Sequence, residues 1–589
     1  MKCPDLELNV LQSVEDVTER VAKAVPTSLA PDKAAAARRA VLADIEKESL
    51  AATGLRSDVV TLYQGGLYHL YRAKKYTDVR LVFCPESAVA AFGGDVDNFE
   101  YPRHSLDVAF FRAYENGQPA KTPDFFKWSA AGPKAGDLVF VTGHPGATQR
   151  LETVAKLKHR RDVTLPYTLA RARALEAVLI QYGEESPEQR RQAANDLHRV
   201  ANGRKQFVGQ LDGLNDRLIL AAKEAQENEL RQAYVRTLSP YSPGFLLPPG
   251  SLDPWQQVER AQTAFTGFER EYALFERGDA FASDLYAAAR QLVRLADELP
   301  KPNAERLREY RDSALESLKQ QLFSPAPLYR PLEQRKLQTS LAFAAEQLGG
   351  DHLTVLKALG GRSPSQQAAE LVAGTRMFDV AERQKLFAGG KAAVDASTDP
   401  LVLLARRLDT DARRLRKRFE EEVDEPERQG FAAIAGVRFR ALGQGVPPDA
   451  TNTFRVAYGT VKGYEVDGKP VPAATTLGGV FEKSVALGGG EPFSLPRRWL
   501  DGKAKLDLTV PYNFASTADT IGGNSGSPVL NTAGELVGLN FDRNRHGLVR
   551  NFVYTDVQAR HIAVHSRAVL EALAKLYDAG ELVRELTGR

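Results

Sequence analysis

The chain has 589 residues, of which 43% are hydrophobic and 26% charged, so we expect a globular protein with two to four domains. A formal charge of +3 is close to neutral, and no apolar run is long enough to span a bilayer, so neither nucleic acid nor a membrane is expected as a partner. The two cysteines, Cys3 and Cys84, match neither a disulfide scaffold nor a zinc site. Whether they pair with each other, with another cysteine or not at all is left open.

The first part of the chain, residues 1–156, is predicted to form a β-barrel with a helical excursion over residues 14–49. Helical spacing of apolar residues predicts helices at Val14–Val25 and Pro31–Ser49. An alternating pattern then predicts strands at Val59–Tyr63, Tyr68–Arg72, Val79–Phe83, Leu106–Tyr114 and Asp137–Thr142. These strands would make up most of one antiparallel barrel.

Residues 157–436 are predicted to be α-helical, because long Ala-, Leu-, Arg- and Glu-rich segments repeat with a period of 3.6. A Pro- and Gly-rich stretch at Ser239–Asp253 interrupts them. Residues 437–589 return to strand patterns and end in a predicted helix at His565–Tyr577. The predicted strands here are Val437–Ala441, Asn452–Tyr458, Thr460–Val466, Leu506–Val510, Ser527–Leu530, Glu535–Asn540 and Phe552–Asp556.

The predicted fold class is therefore a multidomain β + α protein. It would have a chymotrypsin-like double β-barrel, with the first barrel incomplete, and a large inserted α-helical domain. In proteases with two barrels the active site lies in the crevice between them, and an inserted helical domain would cap that cleft.

A serine bracketed by glycines is the strongest chemical signal, at Ser525 within Gly523-Asn524-Ser525-Gly526. A nucleophilic serine needs an exposed hydroxyl on a tight turn and backbone N–H groups directed at the developing oxyanion. Glycine permits the unusual backbone angles of such a turn. The N–H groups of Gly523 and Ser525 are the predicted oxyanion donors. The alternative interpretation is an ordinary Gly/Asn/Ser turn between two strands.

Asp107 is the best candidate for the acid of a catalytic triad, since it starts a predicted strand; the alternative is an ordinary aspartate at a strand edge. In the two-barrel order the histidine precedes this acid, which leaves His69 and His104. His69 lies in a tyrosine-rich strand typical of a structural histidine. His104 is only three residues from Asp107. Neither residue satisfies the expected position of the base.

Several stretches together resemble the dipeptidyl-peptidases of serine peptidase family 46, bacterial exopeptidases with a chymotrypsin fold and an inserted helical domain. The matching stretches are Glu15–Val21, Tyr63–Gly66, Lys75–Phe83, Gly93–Asp107, Asn202–Leu214 (Asn-x-x-Lys-x-x-x-Gly-x-x-x-Gly-Leu) and Thr520–Arg543. They span nearly the whole chain in the family's order. The resemblance implies removal of dipeptides from peptides with a free N-terminus, without a metal or another cofactor.

The resemblance also implies roles for individual residues. Ser525 matches the nucleophile and Asp107 the triad aspartate. Asn98 and Phe99 match positions that hold the substrate's α-amino group, although the family usually has Trp at the second position. Asn202, in the helical domain, resembles the third member of this clamp. Fixing the ammonium group at a set distance from the serine would measure off two residues. A homodimer is left open.

Arg543, 18 residues after Ser525, resembles the pocket arginine of the dipeptidyl-peptidase 11 subgroup, which cleaves after Asp or Glu. Members of subgroup 7 have Gly there and prefer large apolar residues. A fixed guanidinium is suited to binding a carboxylate. The chain departs from the family in the next residues, Asn544-Arg545-His546, where the family often has Asn-Trp-Glu or Val-Trp-Glu. The alternative is a surface arginine in a loop.

The beginning of the chain also departs from the family. Members start with a signal peptide and a segment that carries the catalytic histidine, whereas Met1-Lys2-Cys3-Pro4 resembles the sequence just after that segment. We therefore expect this chain to be truncated and to lack its general base. The family resemblance suggests a periplasmic or cell-surface location, but no signal peptide is present in this sequence. The alternatives are an inactive homologue that binds peptide N-termini and a helical scaffold with a β-appendage.

Overall fold

The structure is a computed structural model that describes residues 1–4, 6–26, 28–237, 253–443 and 445–588. Residues 239–252 of the predicted Pro- and Gly-rich break lie outside this part. The chain forms two compact units. The sheet unit contains Met1–Cys3, Asp78–Arg150 and Asp449–Arg589, and the helical unit contains Pro4–Thr77 and Leu151–Pro448.

The strands and helices of the described residues have the following bounds. The strands are β1 Leu8–Asp16, β2 Arg56–Leu62, β3 Leu67–Tyr76, β4 Asp78–Phe83, β5 Phe110–Glu115, β6 Gln118–Pro119, β7 Leu138–Gly143, β8 Arg455–Thr460, β9 Tyr464–Val466, β10 Lys469–Val471, β11 Ala474–Thr476, β12 Pro511–Ser516, β13 Pro528–Leu530, β14 Leu536–Arg543 and β15 His561–His565. The helices are α1 Thr18–Ala24, α2 Pro31–Thr53, α3 Ser87–Ala90, α4 Gly94–Asp97, α5 Val154–His159, α6 Leu165–Glu184, α7 Pro187–Asn215, α8 Arg217–Thr237, α9 Pro254–Thr266, α10 Glu269–Glu271, α11 Asp284–Glu298, α12 Asp312–Leu322, α13 Arg330–Leu348, α14 Leu353–Leu359, α15 Pro364–Gly374, α16 Val380–Asp395, α17 Pro400–Phe419, α18 Glu425–Leu442, α19 Leu477–Ala486, α20 Arg497–Gly502, α21 Ser566–Lys575 and α22 Gly580–Thr587.

The sheet unit is built on a curled antiparallel sheet with the strand order β11-β12-β15-β14-β13-β7-β8. Alternate residues of these strands point into one core, among them Val139 and Val141 of β7 and Val529 of β13. A second core surrounds the fully buried Trp499. In it, apolar side chains of α19 and α21 pack against Tyr512 of β12 and Val564 of β15. Two smaller sheets, β4-β5-β6 and β9-β10, complete the unit.

The helical unit joins a three-stranded sheet, β1-β3-β2, to a large helical core. Helix α17 shows why the local sequence folds in this way. The Asp399 carboxylate accepts hydrogen bonds from the Leu401 and Val402 N–H groups, and Pro400 occupies the first helical turn. Leu401, Leu404 and other apolar side chains then recur at helical spacing and face the core. Within the described residues, no helix combines the length and apolar character needed to cross a lipid bilayer.

The two units differ from the predicted division at 156 and 436. Residues 4–77, predicted as part of the first barrel, pack with the helical unit, because β1–β3 form a sheet of their own with α1 and α2 packed against it. The predicted strand at Asp137–Thr142 is present as β7, but its hydrogen bonds go to β8 and β13 of the C-terminal sheet.

Three other strand predictions are wrong. Val437–Ala441 belongs to α18, where Val437 continues the buried stripe of Phe431 and Ile434. Leu506–Val510 and Phe552–Asp556 lie in turns and irregular backbone rather than in strands, and β12 and β15 supply the sheet instead. The strand predicted from Leu106 starts only at Phe110. In each case a short apolar run meets the requirements of a buried turn or helix as well as those of a strand.

Candidate active site

Ser525 lies in the loop between β12 and β13 with its side chain exposed. Its hydroxyl donates a hydrogen bond of 3.2 Å to the carbonyl oxygen of Phe541 on β14. Gly523 and Gly526 have φ angles of 102° and 83°, a region that residues with a Cβ rarely adopt. The two glycines predicted from the motif are therefore required by the shape of the loop.

Two buried asparagines hold this loop in place. The Asn524 side-chain oxygen accepts from the Ile521 N–H at 3.0 Å. The Asn540 side chain donates to the Asn524 carbonyl at 2.7 Å, and the Asn540 carbonyl accepts from the Gly526 N–H at 2.7 Å. Within the described residues the N–H groups of Gly523 and Ser525 donate to no protein acceptor. Two fixed donors beside an exposed hydroxyl are the arrangement that an oxyanion hole needs.

Asp107 and the histidines considered as its partner are not assembled into a triad here. Asp107 is exposed and lies three residues before β5. His104 is buried, and its Nδ1 has no hydrogen-bond partner in the part of the chain that the structure describes. Burial, together with Lys483 and Arg103, lowers the pKa of His104 to about 4. His69 lies on β3 of the helical unit. Among the described residues no histidine hydrogen-bonds to Ser525.

Asn98 and Phe99 lie in a buried loop that is tied to β14. The Phe99 backbone has a φ of +63°, and its N–H donates to the Asp542 carboxylate at 3.1 Å. Asp542 directly follows Phe541, whose carbonyl accepts from Ser525. The structure therefore brings Asn98 and Phe99, predicted to bind the α-amino group, to the strand that contacts the nucleophile.

Arg543 ends β14 and is 3% exposed. Its Nη2 lies 3.4 Å from Asn551 Oδ1, while its buried Nη1 has no partner in the described residues. Burial lowers the pKa of Arg543 to about 10, although the neighbouring Asp542 acts in the opposite direction. Asp542 itself is paired with Arg103, at 2.6 Å. Arg543 is thus a buried cation, not the surface arginine of the alternative interpretation.

Asn202, the remaining predicted binding residue, lies on α7 of the helical unit and is partly buried. Among the described residues no group of three or more His, Cys, Asp or Glu side chains is arranged to hold a metal ion. Cys3 and Cys84 do not form a disulfide.

The sequence model of the family described as Peptidase S46 matches residues 1–588, which is almost the whole chain. The chain belongs to the Peptidase S46 family. This confirms the resemblance noted in the sequence, and it makes the chain a serine-type exopeptidase.

The relatives that this S46 peptidase matches carry two names, Asp/Glu-specific dipeptidyl-peptidase and dipeptidyl-peptidase 7. The Asp/Glu-specific dipeptidyl-peptidase of Shewanella putrefaciens is 30% identical, over 90% of this chain and 77% of its own length. The enzyme of the same name from Capnocytophaga gingivalis is 28% identical, over 99% of this chain and 83% of its own. The structure of Porphyromonas endodontalis DPP11 in complex with the dipeptide Arg-Glu covers 100% of this chain and 86% of its own, with a TM-score of 0.77 and 23% identity. This structural similarity shows that the two chains share a fold.

Sequence reasoning about this S46 peptidase missed the residues that support the site. These residues hold the loops around Ser525 and Arg543: the buried Arg103, Asn524, Asn540 and Asn551, and Asp542, whose side chain is 7% exposed. One signal could have found some of them. Polar residues next to apolar strand positions, as in Asn540-Phe541-Asp542-Arg543, are unusual unless each has a buried partner.

Proposed function

We propose that this chain is a serine dipeptidyl-peptidase that removes N-terminal dipeptides and prefers Asp or Glu before the scissile bond. The observation that carries the proposal is Arg543, a buried guanidinium with no carboxylate partner among the described residues. A buried charge is costly unless it is paired, so a site that keeps one unpaired is suited to a ligand of opposite charge. The Asp/Glu specificity of the relatives supports the same assignment.

In the proposed mechanism the Ser525 hydroxyl attacks the carbonyl carbon of the substrate's second residue. The family's catalytic histidine, which is not among the described residues that contact Ser525, would take the serine proton as the C–O bond forms, and Asp107 would orient it. The N–H groups of Gly523 and Ser525 stabilise the oxyanion. The histidine then protonates the leaving amine as the C–N bond breaks, and water hydrolyses the acyl-enzyme with release of the dipeptide.

The free α-amino group of the substrate is proposed to bind at Asn98 and Phe99. The hydrogen bond from Phe99 to Asp542 supports a fixed position for this loop. A fixed ammonium site limits the reach of the substrate to two residues before the serine. The role of Asn202 stays a prediction, which Asn202→Ala would test through the KM of an unblocked dipeptide reporter.

At the level of the fold, we propose that the strands of the sheet unit form the predicted chymotrypsin-like double barrel, and that the helical domain is an insertion in the chain between the two barrel sequences. The curled antiparallel sheet around Ser525 supports this proposal. A crystal structure of the full gene product would test it. We also propose a periplasmic or cell-surface location, by analogy with the family; fractionation of the native host would test that assignment.

The experiment compares fluorogenic dipeptide reporters that end in Asp, Glu or Leu, each with a free and a blocked N-terminus, on the chain as its gene encodes it. We expect cleavage only of unblocked reporters, fastest after Asp or Glu, together with labelling of Ser525 by a fluorophosphonate. Ser525→Ala should remove both cleavage and labelling. Arg543→Gly should remove the acidic preference. Binding of unblocked peptides without cleavage or labelling would instead indicate an inactive homologue.

A further inference from the structure

The only side chain that hydrogen-bonds to the Arg543 guanidinium, within the described residues, belongs to Asn551. The distance from Arg543 Nη2 to Asn551 Oδ1 is 3.4 Å, and both residues are more than nine-tenths buried. Asn551 is the last residue of a short 3₁₀ segment, Arg545–Asn551, that starts just after β14, so the same stretch of chain contributes the arginine and its partner. The contact is long for a hydrogen bond, and it therefore orients the guanidinium without binding it strongly.

The orientation of the Asn551 amide follows from its other contacts. Its Nδ2 lies 3.1 Å from the Ala147 carbonyl oxygen and 3.5 Å from Gln149 Oε1, and both are acceptors. The Gln149 N–H in turn donates to the Asn551 carbonyl at 2.8 Å. Because the Nδ2 end faces two acceptors, the oxygen end must face Arg543. The side chain is fixed with its acceptor toward the guanidinium.

The carboxylates nearest to Arg543 are already engaged by other arginines. Asp542 accepts from Arg103 at 2.6 Å and from two backbone N–H groups. Asp519 forms a two-pronged pair with Arg150, at 2.6 and 2.8 Å. Each of these pairs satisfies a negative charge that would otherwise be drawn to Arg543. The pocket arginine is left with a neutral partner and a spare buried donor, Nη1.

We infer that Asn551 is a specificity-positioning residue, which holds the Arg543 guanidinium in place with a neutral acceptor and so leaves its charge to the substrate's carboxylate. This inference rests on the proposed function. It explains why the partner is an amide. Alanine would leave the guanidinium free to rotate, and aspartate would neutralise it within the protein. An internal carboxylate competes with the substrate at a very high effective concentration.

The test measures the ratio of kcat/KM for reporters ending in Asp and in Leu. Asn551→Asp changes one atom and should lower this ratio by about tenfold or more, because an ion pair inside the pocket replaces the one with substrate. Asn551→Ala should raise the KM for the Asp reporter more than that for the Leu reporter. Asn116→Asp, in an exposed turn of the same unit, adds the same charge and should leave the ratio unchanged.

A double-mutant cycle with Arg543→Gly separates this role from a merely structural one. If Asn551 acts through Arg543, Asn551→Asp has no further effect on the ratio once the arginine is gone. An Asp/Leu ratio in Asn551→Asp within about twofold of the unsubstituted enzyme would overturn the inference while leaving the acidic preference intact. Absence of acidic preference in the unsubstituted enzyme would overturn both proposals. Should Asn551→Asp fail to fold, Asn551→Ala provides the test. A larger rise in KM for the Asp reporter than for the Leu reporter supports the inference, and equal rises overturn it.

Discussion

The guanidinium of Arg103 lies 2.6 Å from the carboxylate of Asp542, and both side chains are nearly shielded from solvent. The same carboxylate accepts from the Phe99 N–H, and Arg103 also donates to the Asp97 carbonyl. One ion pair therefore joins the loop predicted to bind the substrate's amino group to the strand that contacts Ser525. It also keeps Asp542 from neutralising its neighbour Arg543.

Removing this carboxylate should both destabilise the sheet unit and weaken substrate binding. Asp542→Ala leaves Arg103 buried without its partner, which typically costs about 3–5 kcal/mol. It also releases the Phe99 backbone, so the KM for unblocked reporters should rise. Urea unfolding and reporter kinetics measure the two effects. Asp501→Ala removes the carboxylate of an exposed pair with Arg497 and should cost less than about 1 kcal/mol. Equal losses in the two variants would contradict this account.

The two glycines beside Ser525 should differ in their tolerance of alanine. A Cβ on Gly523 would lie 2.5 Å from the Gly146 nitrogen and 2.6 Å from the His144 oxygen, so the backbone that carries the oxyanion donors must move. We expect Gly523→Ala to lower kcat by about 100-fold or more, as the loss of an oxyanion donor does.

Gly526 provides the matched control, because a Cβ there meets nothing within 4 Å. Its substitution by alanine adds only the strain of a positive φ, about 1–2 kcal/mol. Kinetics and melting curves of both variants decide the matter. A larger loss of kcat in Gly526→Ala than in Gly523→Ala would contradict this prediction. It would show that backbone strain at a positive φ lowers activity more than the steric clash of a Cβ at Gly523.

Arg543 should cost the protein stability while it provides specificity. Its pKa is lowered to about 10 by burial, so at neutral pH the charged form carries a penalty on the order of 3 kcal/mol. Because the folded-state pKa of this cation is depressed, the penalty is complete below pH 10 and is relieved only above it. We expect Arg543→Met to raise the melting temperature at pH 7 by several degrees and to abolish acidic preference. A lower melting temperature would contradict this prediction, because it would show that the buried Arg543 guanidinium stabilises the fold.

The sheet unit should lose stability in mild acid through its buried histidines. Burial lowers the pKa of His561 to about 3, and its Nδ1 lies 2.7 Å from Ser516 Oγ. Between pH 6.5 and 3 the unfolded chain binds a proton that the folded protein excludes, so stability falls as the pH falls. His561→Asn should make this decline shallower by up to about 1.4 kcal/mol per pH unit. The readout is the free energy of unfolding in urea from pH 7 to 4, with the exposed His198→Asn as control.

Local patterns predicted the strands near Ser525 well. The predicted strands at Ser527–Leu530 and Glu535–Asn540 are confirmed as β13 and β14. The prediction failed for the partners of β7, because its alternating residues would suit any sheet. Its actual partners, β8 and β13, follow it in the chain by more than 300 residues. Hydrogen bonds between strands depend on long-range closure, which a local pattern does not record.

The sequence by itself determined the serine loop, its two glycines and the membership of a peptidase family, since backbone angles and motif spacing are local properties. Only the tertiary structure decided what surrounds Arg543. Whether a guanidinium is exposed, paired within the protein or left to bind a substrate carboxylate depends on its burial and on which carboxylates reach it. Here Asp542 and Asp519 are held by Arg103 and Arg150, from distant parts of the chain. Burial and pairing depend on the residues that the tertiary structure brings around a side chain. They make Arg543 a candidate for binding the acidic side chain of a substrate.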